Sequence, residues 1–233
     1  MIILAENKKL DRGKMMKITK KDTILNFFCK PGLPFFPLFI AILACLFLFL
    51  FIESHRYLFL LLAFISPYII PLFSFKLLQA IYPIKEGASF FGEERFSPWV
   101  SSFRLQQIYV MFPVLERILF FIPGLYNSWL RAWGSKIGKN VYFLPGILIV
   151  DRAHIEIGDN VMIGNQCYFY PHVVQIKKGR FFLYYKKISI GNNVFIGAFS
   201  TLGPGTKIAD NITVPAGSAF GVNQSTPTSY HSS

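Results

Sequence analysis

A parallel β-helix preceded by a helical hairpin of membrane length is the fold class this sequence predicts, and three observations predict it. Bulky aliphatic or aromatic residues stand six apart at Ile137, Phe143 and Ile149, again at Ile157, Ile163 and Phe169, and again from Ile190 through Ile196, Leu202, Ile208 and Val214 to Phe220. A helix repeats every ~3.6 residues and a strand every ~2, so a period of six fits neither alone; it is the signature of a parallel β-helix. Small residues often follow the bulky one (Gly138, Gly158, Gly164, Gly191, Gly197, Gly203, Ala209), and Asn192-Asn193 marks a turn. Upstream, apolar residues crowd the chain before residue 130, giving 53% apolar against 15% charged overall.

The segments "WGSKIGKNVYF", "IEIGDNVMIGN" and "ISIGNNVFIGAFSTLGPGTKIADN" resemble the hexapeptide-repeat acyltransferases. That resemblance implies a left-handed β-helix of triangular cross-section, a homotrimer, and acyl-donor sites in the clefts between subunits. It covers the C-terminal third. The helical domain of serine O-acetyltransferases, a nucleotide-binding Rossmann half and a long C-terminal helical extension are not seen, and the soluble sugar acetyltransferases of the family lack a membrane hairpin. A carbonic-anhydrase-like member would need three zinc-binding histidines, and the repeat domain holds two, His154 and His172. No metal site is expected.

Taken in order, residues 1–31 form a basic segment, with Lys8, Lys9, Arg12, Lys14, Lys17, Lys20, Lys21 and Lys30 against Glu6, Asp11 and Asp22. Residues 32–76 read as a transmembrane hairpin: Leu38 to Ile52 is unbroken apolar sequence, Glu53-Ser54-His55-Arg56 is a polar turn, and Tyr57 to Phe75 is a second run interrupted by Pro67 and Pro71. The basic N-terminus puts that end, and after two crossings the β-helix, in the cytoplasm. A re-entrant hairpin is the alternative. Residues 77–133 read as a connector followed by helices from Phe103, with Leu105, Ile108, Tyr109, Phe112, Leu115, Ile118 and Leu119 at helical spacing; such greasy helices suit the membrane interface or the open end of the β-helix. Residues 134–222 carry the β-helix, and 223–233 read as a disordered Ser/Thr-rich tail holding His231.

A formal net charge of +12 suggests an anionic partner: membrane lipid or a phosphorylated cofactor. No zinc-finger or helix-turn-helix pattern points to nucleic acid. Cys29, Cys45 and Cys167 are too scattered for a disulfide framework and form no CxxC, in keeping with a reducing compartment.

Three sixes make one triangular coil, which sorts the twelve positions into three faces of four: Ile137, Ile157, Ile190, Ile208; Phe143, Ile163, Ile196, Val214; Ile149, Phe169, Leu202, Phe220. The same arithmetic places Arg152, beside Asp151, one coil below His172 and Gly205 one coil above it. Residues 175–187 break the period and must leave the prism beside His172. By the family resemblance, a lateral loop after a histidine marks the general base. His172 would then take a proton from a hydroxyl or amine attacking an acyl thioester, with an imidazole suited to neutral pH. Asp151 would orient its ring or hold Arg152, His154 is the second candidate base, and a backbone N–H near Pro204-Gly205 is a candidate oxyanion donor. Lys177, Lys178 and Arg180 on the loop, with Lys186 and Lys187, suit the phosphates of coenzyme A, an acidic acyl carrier protein or anionic lipid; by motif, Ala198 and Gly203 match where the family threads the pantetheine arm. The expected function is transfer of an acetyl or short acyl group from acyl-CoA to a membrane-associated small-molecule or glycolipid acceptor. Long-chain acyl transfer from CoA or acyl carrier protein, and a non-catalytic membrane scaffold, remain open at this point.

Overall fold

The computed structural model describes residues 33–91, 96–177 and 179–226. The basic segment 1–31, Lys178 and His231 lie outside the described residues, as does the tail from 227 onward.

A short 3-10 turn (Leu33–Phe35) leads into α1 (Phe36–Ser54), which packs antiparallel on α2 (Tyr57–Ile81). His55, at φ 52°, closes α1 in the left-handed conformation, its N–H donating to the Phe51 carbonyl. Both segments, Leu33–Ser54 and Tyr57–Ile81, are long and apolar enough to cross a membrane. Helix α2 continues past Lys76 to Ile81 and runs through both prolines. Each proline lacks an N–H and so frees the carbonyl four residues before it. The freed carbonyls find side chains: Ser66 Oγ donates to the Ala63 carbonyl at 3.4 Å, and Tyr109 Oη donates to the Pro67 carbonyl at 2.8 Å.

The expected connector contains more structure than its mixed composition suggested. Strand β1 (Gly87–Phe91) and helix α3 (Pro98–Met111) occupy it, the helix starting before Phe103 because Ser97 caps it and Pro98 fills its first turn. Helix α4 (Val114–Arg117), a 3-10 turn (Ile118–Phe121) and α5 (Leu125–Trp133) complete a helical layer against α2 and the first coil. Tyr109, Trp129 and Trp133 interlock there edge to face, with ring centroids 5.4–5.9 Å apart.

The repeat domain is a left-handed β-helix of four coils. One face is β2 (Lys136–Ile137), β5 (Ile155–Ile157), β10 (Ile188–Ile190) and β13 (Lys207–Ile208); the next is β3 (Val141–Phe143), β6 (Val161–Ile163), β11 (Phe195–Ile196) and β14 (Thr213–Val214); the third is β4 (Leu148–Ile149), β7 (Tyr168–Phe169), β12 (Thr201–Leu202) and β15 (Ala219–Phe220). All pairings are parallel, and the residues in register are those the period of six aligned: Ile137 with Ile157, Phe143 with Ile163, Ile149 with Phe169, and so up each face. One corner is built by asparagines in the left-handed region, Asn140, Asn160, Asn193 and Asn211, φ 53–59°. Their side chains form a ladder, each amide nitrogen donating to the oxygen in the next coil at 3.0–3.1 Å. At the first coil the strand edge is closed by α5: Asn127 donates to the Val141 carbonyl and Arg131 to those of Ile137 and Gly138.

Residues 172–185 leave the prism as an antiparallel hairpin, β8 (His172–Lys177) and β9 (Arg180–Tyr185), and β1 joins it as a third strand. The tail is ordered further than expected: Lys207 donates to Gln224, Thr226 donates back to Lys207, and Thr226 Oγ1 accepts from Ala209.

Candidate functional site

The site forms where the third face turns back toward the first. His172 is the first residue of β8, and its Nδ1 lies 2.5 Å from Asp151 Oδ2 in the coil below. Asp151 is 1% exposed, and its second oxygen has no hydrogen-bond partner among the described residues. The carboxylate thus faces imidazole alone, which selects the tautomer with hydrogen on Nδ1 and leaves Nε2 as the acceptor. Trp99 meets the His172 ring edge-on at 4.7 Å and Phe103 at 6.3 Å, so α3 supplies an aromatic wall that restricts the imidazole.

Asp151 therefore orients His172 rather than Arg152. The Arg152 side chain points the other way, into the helical layer: Nε and one terminal nitrogen donate to the two oxygens of Glu116 at 2.7 and 2.6 Å, and its guanidinium lies 4.7 Å from the Tyr109 ring centroid. Burial works against its charge, but the Glu116 carboxylate more than compensates and holds the guanidinium above its ordinary range. Glu116 also accepts from Trp129 Nε1.

His154 occupies a different environment. Its ring stacks on Tyr185 at 4.2 Å, and its Nε2 is 3.1 Å from Glu86. Burial pushes this imidazole below its ordinary value, with Glu86 and Asp151 acting in the opposite direction. Burial disfavours the imidazolium that a general base must form, which makes His154 the poorer candidate base.

Gly205 is not beside His172. The hairpin returns to the prism at Lys186, whose carbonyl accepts from Gly205 N at 3.3 Å, and the space a Cβ would take at Gly205 is filled by Asn223 and Lys186. That engaged N–H is not a free oxyanion donor. Ala198 sits at the corner between the second and third faces and Gly203 beneath Phe220, neither gathered around His172. Lys177 and Arg180 face each other across the hairpin tip; at ~3.3 Å per residue Lys177 is about 17 Å along the strand from His172. Lys177 rests over Phe182 and Arg180 over Phe90. Lys186 and Lys187 are held at the hairpin base by Asn223 and Glu156. Among the described residues no three His, Cys, Asp or Glu side chains are grouped to hold a metal ion.

Trp99, Phe103, Gln106 and Glu116 were not among the expected site residues. Glu116 carried a signal, as the single acid between residues 103 and 133, because a buried carboxylate needs a partner.

The fold and repeat define the class: a left-handed hexapeptide β-helix with a histidine–aspartate pair at the base of a lateral hairpin. Residues 187–221 match the family described as Bacterial transferase hexapeptide (six repeats). Galactoside O-acetyltransferase of Escherichia coli (strain K12) is 35% identical over 103 residues, 40% of this chain and 50% of that protein. YvoF of Bacillus subtilis (strain 168) is 35% identical over 97 residues, 40% of this chain and 51% of its own. The chain thus spans about half the length of these curated relatives. Among solved structures, a hexapeptide-repeat acetyltransferase from Vibrio cholerae O1 biovar eltor, complexed with acetyl coenzyme A, aligns with TM-score 0.40 and 21% identity over 52% of this chain and 80% of that one.

Proposed function

We propose that this protein is a membrane-anchored acyltransferase that moves an acetyl or other short acyl group from a coenzyme A thioester to a hydroxyl or amine of a membrane-associated acceptor. The observation that carries the reading is the His172–Asp151 pair, with Nδ1 engaged at 2.5 Å and Nε2 left to accept a proton. The name of the curated relative from Escherichia coli, a galactoside O-acetyltransferase, favours acetyl as the group transferred.

In this mechanism Nε2 takes the acceptor proton as the acceptor oxygen or nitrogen attacks the thioester carbonyl. The tetrahedral intermediate collapses, the C–S bond breaks, and the imidazolium returns its proton to the leaving thiolate. Asp151 stabilises the imidazolium and fixes the ring. The net charge of +12 suits a polyanionic donor, and a homotrimer with donor clefts between subunits follows from the family likeness.

Membrane attachment rests on more than the hairpin. Tyr68, midway along α2, donates to the Leu115 carbonyl at 2.7 Å, so the α3–α4 segment packs against the middle of the apolar helix. There Met111, Val114, Phe121 and Ile122 are 56–85% exposed. These side chains extend the hairpin's apolar surface and are suited to lipid, bringing the helical layer that flanks His172 to the bilayer. An acceptor presented from the membrane, such as a lipid-linked sugar or glycolipid, would reach the site without leaving it.

The test is acyl transfer by the detergent-purified protein, using acetyl-, medium- and long-chain coenzyme A with a membrane lipid extract as acceptor. Turnover with acetyl-CoA, lost in His172→Ala, is the expected result. Full turnover in His172→Ala would overturn the base assignment, and turnover confined to long-chain donors would overturn the short-chain reading.

A further inference from the structure

The Asp151 carboxylate has one hydrogen-bonding partner, His172, so its position is set by the backbone of residues 151–152. In most of the prism such a corner is held by the coils above and below. Here it is not. Strand β4 is at the edge of its sheet, so no coil lies beneath, and the coil above departs into the hairpin at His172.

The helical layer adds its hold through Arg152, joined there by Ser135 at the start of the first coil. Its N–H donates to Gln106 Oε1 at 2.9 Å, its carbonyl accepts from Ser135 Oγ at 2.6 Å, and its guanidinium forks onto both oxygens of Glu116. Arg152 is 0% exposed, and a two-bond fork fixes direction as well as distance. Glu116 is in turn anchored by Trp129 Nε1, while Tyr109, beneath the guanidinium, ties α3 to the carbonyl that Pro71 frees in α2.

We infer that Glu116, acting through Arg152, is a positioning residue that holds the Asp151 carboxylate against His172. The inference rests on the acyl-transfer reading for its kinetic consequence. It links the apolar hairpin to the reacting imidazole through one chain of named contacts, from Pro67 by way of Tyr109, Arg152 and Asp151 to His172.

The experiment uses the full-length protein in detergent and crosses Glu116→Gln with Asp151→Asn, reading kcat, KM for acetyl-CoA, and the low-field imidazole proton of His172, assigned by its absence in His172→Ala. Glu116→Gln is expected to lower kcat by between about 10- and 100-fold at unchanged KM, as a small misplacement of a catalytic pair does. It should also weaken or abolish the low-field proton, and cause no further loss of kcat in the Asp151→Asn background. Should Glu116→Gln fold poorly, Gln106→Met, which removes the acceptor for Arg152 N without unpairing a buried charge, should give the same pattern. A well-folded variant that keeps the low-field proton and full kcat overturns the inference, as do losses that simply multiply with those of Asp151→Asn. Absence of turnover in the native protein would instead sink the acyl-transfer reading, and turnover that survives in His172→Ala the assignment of the base, while the imidazole proton continues to report on the positioning.

Discussion

The Glu116–Arg152 pair makes a thermodynamic prediction independent of any activity. The Arg152 side chain is 0% exposed and that of Glu116 10%, so both charges have lost most of their water. Replacing one partner leaves the other charged, buried and unpaired, at a cost of about 3–5 kcal/mol. Glu116→Leu also strips Trp129 Nε1 of its acceptor, adding roughly 1 kcal/mol. Arg152→Met should fall at the lower end, because Glu116 keeps that indole and some solvent. The double variant removes both charges and replaces them with side chains of similar volume. It should therefore lie within ~2 kcal/mol of the native protein, where additive losses would total roughly 7 kcal/mol or more. Denaturant unfolding in mild detergent, followed by tryptophan fluorescence, reads this directly because Trp129 and Trp133 lie in the layer that must open. Additive losses in the double variant, or single variants costing under ~1 kcal/mol, would refute the claim that these charges depend on each other.

Other expectations are narrower. Gly191→Ala would drive a methyl group into the Asp210 carboxylate and backbone, with Asp210 N only 2.8 Å away, and should cost about 1–3 kcal/mol in the same unfolding assay; a neutral substitution would mean the turn is looser than described. His154 is held below its ordinary value by burial, so the unfolded chain binds its proton more readily. Stability should therefore decline as pH falls below the ordinary histidine value of 6.5, and His154→Phe should flatten that slope; an unchanged slope would refute the assignment. With Cys29, Cys45 and Cys167 replaced, a nitroxide at Phe121→Cys should be protected from aqueous relaxation agents in liposomes, as should one at Leu61→Cys. Protection at Leu61 but not Phe121 would remove the α3–α4 segment from the bilayer, and exposure of both would remove the hairpin too.

Much of the repeat domain was legible because its code is local. A bulky residue every sixth position states which side chain points inward, and an insertion only delays the count, so the register of all three faces survived the hairpin. The same counting brought His172 over the Asp151–Arg152 corner but did not decide which of the two the ring meets. It misplaced Gly205, because the chain re-enters at Lys186, which takes the place above the corner that uninterrupted stacking assigns to His172. The partnership of Arg152 with Glu116 spans 36 residues and depends on the direction a side chain takes from a corner, which periodicity does not encode. Strand β1 was missed for a related reason: five residues that pair with a hairpin carry no strong pattern until that hairpin exists.

The closure of the first coil by α5 has a consequence for how the prism is made. A stack of coils has no long-range contacts to reward early, since each layer meets only its neighbours. Layer one is the exception, because Asn127 and Arg131 already occupy its open carbonyls and Trp133 covers its core. It is therefore the best-held layer, and we expect it to act as the seed from which later layers grow away from the apolar hairpin. Native-state amide hydrogen exchange should show the matching gradient of stability, slowest at Val141–Phe143 and fastest at Ala219–Phe220.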